Sequence, residues 1–271
     1  MPKLDLGHVQ LNFLQRGEGP DIVWVPGGDS TIDLYREQYP FFEKRFRLTS
    51  FDPRGAGETI CRKEPPWTIA DMAADCAALI RAVCKPPVIL TGLSMGALIT
   101  QQVAIDYPSL VRLAIPMGTG ANFRSGYSRD FMVADVEFRR AGGRLSRDMA
   151  AVYYGVLCYP SEVLGNKEMW ARVKELLGRE YGDRNSEDLE AQWEACINFD
   201  CDDGLKACPV PIHVIAFGED VQAPPAVGKQ VADLAPNGHF HLMPGLGHCS
   251  LAIHRPDEVN RKLLEIIDNN L

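Results

Sequence analysis

A serine, a carboxylate and a histidine each stand after an apolar run of this chain, and together they are the groups that acyl transfer by a serine uses. Ser94 lies in Gly92-Leu93-Ser94-Met95-Gly96, between the apolar run Val88 to Thr91 and a segment that reads as a helix. The five-residue pattern alone decides little, because average glycine and serine usage yields it by chance in about one chain in ten of this length. Its setting decides more. A strand-to-helix turn with glycines on both sides lets a serine hydroxyl project above the carboxyl edge of a sheet, where the helix offers free N–H groups and a positive dipole end.

A serine hydroxyl is a poor nucleophile until a base takes its proton, and the base needs an acid to orient it. Of the six histidines, His248 follows the strand candidate Phe240 to Met243 through Pro-Gly-Leu-Gly and precedes a terminal helix, which suits a base. His254, on the same loop, is the fallback. His8, His213, His239 and His241 read as structural or surface groups. The strand Ile212 to Phe217 ends in Gly218-Glu219-Asp220, and Asp220 is the stronger acid candidate, with Glu219 the alternative. An oxyanion needs two donors. Met95 N–H, directly after the nucleophile, is one, and Gly28 N–H in Val25-Pro26-Gly27-Gly28-Asp29 is the other.

Such groups need strands to end beside one another. Short apolar runs alternate with amphipathic segments along the chain, the rhythm of a mostly parallel α/β sheet with helices on both faces. The strand candidates are Val9–Leu14, Ile22–Val25, Arg47–Phe51, Val88–Thr91, Leu113–Pro116, Ile212–Phe217 and Phe240–Met243. Between the third and fourth, Thr68 offers a helix cap to Asp71, and Ile69, Met72, Cys76, Leu79, Ile80 and Val83 form an apolar stripe. From residue 122 to 208 only helical periodicities are found, broken at Gly142-Gly143, Tyr159-Pro160 and Gly182-Asp183. Residues 1–121 and 209–271 therefore read as the core and 122–208 as an all-helical insertion. Its stripes, Met169/Val173/Leu176/Leu177 and Leu189/Trp193/Cys196/Ile197, read as packing surfaces.

Composition narrows the function classes. The net charge is −8 with scattered basic residues, so neither nucleic acid nor an anionic membrane is an expected partner. Charged residues at 24% and hydrophobic residues at 46% describe an ordinary globular chain. No apolar run reaches the length of a membrane span, and the N-terminus lacks a signal-peptide core, so a cytoplasmic location is expected. The eight cysteines form no C-x-x-C pair and read as reduced, structural thiols, with neither a metal nor an organic cofactor expected.

Five segments, VPGGDS, FDPRGAGET, TGLSMG, FGEDVQAP and GLGH, occur in an order that resembles the α/β-hydrolase superfamily across essentially the whole chain. The resemblance implies that 122–208 is a lid over Ser94. It also implies a Ser94–His248–Asp220 serine hydrolase acting on an ester or lactone. Tyr153, Tyr154, Trp170 and Trp193, with Met132, would line a mainly apolar pocket for a small-molecule substrate. The superfamily also contains C–C bond hydrolases, amidases, and lyases or cyclases that keep the serine and histidine, and a ligand-binding protein without turnover is the non-enzyme alternative. One departure is plain: family members often carry His-Gly where this chain has Pro26-Gly27, so hydrogen bonds around that loop must be replaced or lost.

Overall fold

Valine, isoleucine and leucine runs too short for amphipathic helices become strands buried on both faces. In the computed structural model, which describes residues 1–181 and 186–271, every residue of β3 (Asp21–Val25), β6 (Val88–Leu93) and β8 (Ile212–Phe217) is buried. That is the pattern of parallel strands covered by helices on two sides. The other strands are β1 (Lys3–Asp5), β2 (Val9–Arg16), β4 (Arg47–Phe51), β5 (Ile60–Cys61), β7 (Val111–Met117) and β9 (Gly238–Met243). They order as β1-β2-β4-β3-β6-β7-β8-β9, with β5 on β2. β2 runs antiparallel to its partners, and β4 through β9 in that order are parallel. β1 and β5, which the apolar pattern does not reveal, hold their form through pairing with β2.

The helices are α1 (Tyr39–Phe42), α2 (Ile69–Val83), α3 (Met95–Asp106), α4 (Tyr127–Arg140), α5 (Arg147–Cys158), α6 (Ser161–Gly165), α7 (Lys167–Tyr181), α8 (Ser186–Ile197), α9 (Asp202–Ala207), α10 (Pro225–Leu234) and α11 (Pro256–Asp268). Thr68 caps α2 as expected: its hydroxyl accepts the Asp71 N–H at 3.0 Å, and its own N–H donates to the Asp71 carboxylate at 3.0 Å. Alternate strand residues feed two cores. Val23, Val25, Val88 and Leu90 pack with α2 and α3, whereas Ile22, Trp24 and Ile89 pack with Phe42 of α1 and with Val259, Leu263 and Ile266 of α11.

Helices α4 to α9 fill the stretch between β7 and β8, where the one β-pairing among the described residues is the isolated bridge Asn122–Asp200. The break expected at Gly182-Asp183 lies outside the described residues. Ala151, Tyr154, Val173 and Leu177 form a satellite cluster, while Met132, Val136 and Trp193 join the main core.

Register carries the sheet's functional consequence. Val25 pairs with Gly92, Gly92 with Pro116, and Phe217 with Met243, so the loops after β3, β6, β7, β8 and β9 all leave one edge of the sheet. This carboxyl edge is where open α/β sheets build their sites.

At the far side of β8 and β9 the rings of His213, His239 and His241 stack, with His213 centroids 4.3 and 5.2 Å from the other two. Burial, then repulsion by His239 and His241, pushes His213 down to about 4 against the pull of Asn270. Burial also lowers His241, aided by Lys262 and His239 and opposed by Glu265. Above pH 6.5 such a histidine is neutral whether folded or unfolded. Below it the unfolded chain gains protons that the native ring refuses, so stability falls down to about pH 4, by about 1 kcal/mol per pH unit for His213. Denaturant titrations at pH 7.5 and 5.0 are expected to show a smaller loss on acidification in His213→Phe than in the wild type, the difference being the His213 contribution. An equal loss in the variant would clear the cluster of the effect.

Candidate active site

The turn after β6 is strained in the way the two glycines suggest. Ser94 sits at φ 56°, ψ −122°, a region that non-glycine residues rarely enter, and α3 begins at the next residue. Its N–H donates to Met117 O at 3.0 Å and its carbonyl accepts from Ala97 and Leu98, so the strain is held by β7 on one side and α3 on the other. The glycines answer to close approach. A Cβ on Gly92 would stand 2.2 Å from Gly96 O, and one on Gly96 would stand 2.1 Å from Val25 O.

Asp220 and His248 meet across the neighbouring strand ends. His248 Nδ1 lies 2.6 Å from Asp220 Oδ2, and both side chains are almost fully buried. The other carboxylate oxygen accepts the N–H groups of Gln222 and Ala223, each at 2.9 Å, which fixes the acid from behind. Burial pushes the imidazole down, but the Asp220 charge and hydrogen bond outweigh it and raise His248 above its ordinary 6.5. Glu219 is exposed, and its N–H bonds to Leu246 O. His254, the fallback base, instead has Nδ1 2.9 Å from the Ser250 hydroxyl. The geometry therefore groups Asp220 with His248, and neither alternative.

Ser94 and His248 border the same two small cavities, each of about 30 Å³. Trp193 and Gln222 also line both. One lobe is mainly apolar, walled by Met95, Leu98, Phe123, Phe131 and Met132. The other is more polar, walled by Gly28, Asp29, Ser30, Tyr154 and Cys158. The N–H groups of Gly28 and Met95 bond to no backbone or side-chain acceptor among the described residues. Preorganised donors beside a serine are the arrangement that stabilises a developing oxyanion. A separate, larger cleft of about 510 Å³ borders Asp29, Gly55 and Trp67 and contains neither Ser94 nor His248.

Four aromatic residues were expected at the pocket, and two line it. Trp193 borders both lobes, its Nε1 donating to the buried Asp135 carboxylate at 3.0 Å, and Tyr154 borders the polar lobe. Tyr153 and Trp170 line neither. Tyr153 packs at a tilt against Phe131 and edge-on against Tyr154, and Trp170 covers Gly155 on the satellite cluster, so both rings serve helix packing.

Two neighbours of the site escape sequence reasoning. Gly118, at φ 54° after β7, lies so close that a Cβ there would stand 3.1 Å from His248 Nδ1 and 3.2 Å from Asp220 Oδ2. Its signal was a glycine at a strand end, two residues before Gly120. Gln222 is the other: its backbone holds Asp220, while its Nε2 reaches Leu157 O at 3.3 Å on α5.

A family model described as the alpha/beta hydrolase family matches residues 22–262, which spans the whole constellation. The chain belongs to the alpha/beta hydrolase family. This alpha/beta hydrolase is 28% identical over 263 residues to a Mycobacterium tuberculosis protein provisionally named non-heme bromoperoxidase BpoC, covering 95% of this chain and 97% of that one. The crystal structure of the BpoC protein superposes with a TM-score of 0.88 at 26% identity, covering 96% of each chain. The fold is also that of an enol-lactonase from Burkholderia xenovorans LB400, with TM-score 0.87, 20% identity, and 98% and 100% of the two chains covered. A thermophilic esterase from Thermogutta terrifontis is similar as well, with TM-score 0.84, 22% identity and 99% of both chains covered. Among the described residues, no helix of this alpha/beta hydrolase is long and apolar enough to cross a membrane.

Proposed function

We propose that this chain is a serine hydrolase that cleaves a carboxylic ester or lactone of a mainly apolar small molecule through an acyl-enzyme on Ser94. One observation carries the reading: a strained serine and a histidine held by a buried aspartate, through a hydrogen bond 2.6 Å long, border the same cavities. His248 takes the Ser94 proton as the hydroxyl attacks the acyl carbon. Met95 and Gly28 N–H groups hold the oxyanion, and the imidazole returns the proton to the leaving alkoxide. Water, activated by the same imidazole, then releases the acid. Asp220 keeps the imidazole in the tautomer whose Nε2 can accept, and stabilises its charged form. The scheme uses no metal and no organic cofactor.

The apolar wall of Met95, Leu98, Phe123, Phe131 and Met132 supports a small, mainly apolar substrate. The named activities of the enol-lactonase and the esterase, both C–O bond cleavages, agree with that class. In this reading residues 122–208 are the lid and the remainder is the core. Eight free thiols fit a reducing, cytoplasmic setting, with a small molecule as partner rather than a nucleic acid or a membrane.

A fluorophosphonate is expected to label the folded protein at one equivalent, with the adduct mapped to Ser94 by mass spectrometry. A folded protein that stays unlabelled would remove the acyl-enzyme route and favour a ligand-binding role.

A further inference from the structure

We infer that Gln192, on α8 of the helical segment, is a positioning residue for the oxyanion loop, holding the Gly28–Asp29 peptide in its working orientation. The inference rests on the serine-hydrolase reading above. Gln192 is fully buried, and both ends of its amide are engaged. Oε1 accepts the Asp29 N–H at 2.7 Å, and Nε2 donates to Arg54 O at 2.6 Å.

Each end of that bridge has a reason to matter. The Arg54 end is anchored, because its guanidinium makes two bonds, of 2.6 and 3.0 Å, to the buried Asp75 carboxylate. The Asp29 end is the one that needs an anchor. Asp29 sits at φ 56°, a left-handed conformation that a non-glycine residue keeps only when its surroundings enforce it. Pro26, two residues ahead of Gly28, has neither a side-chain hydrogen-bonding group nor an N–H to contribute. Within the loop, Ser30 N–H donates to Gly27 O at 3.2 Å and the Ser30 hydroxyl makes a long 3.4 Å contact to Gly28 O. The Gln192 bond, at 2.7 Å, is shorter than either.

The Asp29 N–H and the Gly28 carbonyl belong to one peptide plane. Gln192 holds that plane, and the Ser30 N–H on Gly27 O holds the preceding plane, which carries the Gly28 N–H; with both held, the two Gly28 torsions between them are restrained, and so is the N–H of a residue that lines the cavity shared with Ser94. Trp193, the next residue, lies against Gly28, its ring 3.5 Å from where a Cβ would stand, and closes the loop from the same helix. A residue far from the loop in sequence thus replaces the hydrogen bonds that Pro26 cannot make.

The test uses Gln192→Met, which keeps length and removes the acceptor, and Gln192→Glu, whose carboxyl still accepts the Asp29 N–H. With p-nitrophenyl acetate, Q192M is expected to lose about ten- to a hundred-fold in kcat with KM within about three-fold of wild type, since an oxyanion donor acts in the transition state. Phosphonylation of Ser94 is expected to slow by a similar factor. Q192E is expected to retain at least one-fifth of the wild-type kcat, a rescue that a mere packing role would not give. Should Q192M not fold, Q192E decides alone, with at least one-fifth of the wild-type kcat expected. A folded Q192M within two-fold of wild type, a loss confined to KM, or a Q192E no better than Q192M would overturn the role. A wild-type protein without labelling or ester turnover would instead bring down the hydrolase reading, and the role of Gln192 with it.

Discussion

Ser94→Ala is expected to lower kcat for p-nitrophenyl acetate by a factor on the order of 10⁶, leaving only background hydrolysis by the empty site. That factor corresponds to about 8 kcal/mol of transition-state stabilisation, far more than any packing change at this position could produce. Alanine also removes the hydroxyl without touching the strained backbone, whose φ of 56° is enforced by β7 and α3. Thermal stability should therefore change little, and a small rise would agree with strain held for function. Kinetics and a melting curve on the same preparation check both expectations. Turnover within ten-fold of wild type would take Ser94 out of the chemistry and leave its strained turn without a catalytic explanation.

The second large effect belongs to Asp220. Asp220→Asn is expected to cost roughly 10³- to 10⁴-fold in kcat, because an amide can present its N–H₂ to His248 Nδ1 and so stabilise the wrong tautomer. Its pH dependence provides the sharper test. His248 must be neutral to take a proton, so kcat/KM rises with pH through the imidazole's titration. In the wild type that midpoint lies above 6.5, since the carboxylate's charge and hydrogen bond outweigh burial. Removing the charge takes away the largest influence opposing burial, and the midpoint is expected to move downward, so the residual activity of the variant persists to lower pH. Glu219→Gln, at an exposed position, is expected to change neither rate nor midpoint. An unmoved midpoint in Asp220→Asn would mean that a group other than His248 is being titrated.

The parts of this site that were legible in the sequence share a physical cause. Ser94, Asp220 and His248 each follow a strand whose residues are apolar enough to mark it, and parallel strands end at one edge, so order along the chain foretold proximity. The same logic put the Gly27-Gly28 loop after β3, where it lines a cavity with Ser94. It failed for β1 and β5, which are three and two residues long and owe their form to β2. It also failed inside the helical segment. Tyr153 and Tyr154 are adjacent on α5, and a rotation of about 100° per residue sends only one of them to the cavity, which composition does not disclose. Gln192 was harder still: it lies three residues after Leu189, on the apolar face of α8, where a polar side chain reads as the edge of a stripe. Only the carbonyl of Arg54 and the N–H of Asp29, brought from two other loops, show why an amide belongs there.

That amide also bears on how the protein can be taken apart. A roof over a cleft is commonly treated as an exchangeable module, to be swapped for a new preference while the engine below keeps its speed. On the proposed reading, in which residues 122–208 are that roof, it is bolted to the engine: α8 contributes Trp193 to both lobes and Gln192 to the turn beside the serine. Grafting a different roof would alter tempo along with taste, and a transplant that preserves turnover has to carry this one side chain with it.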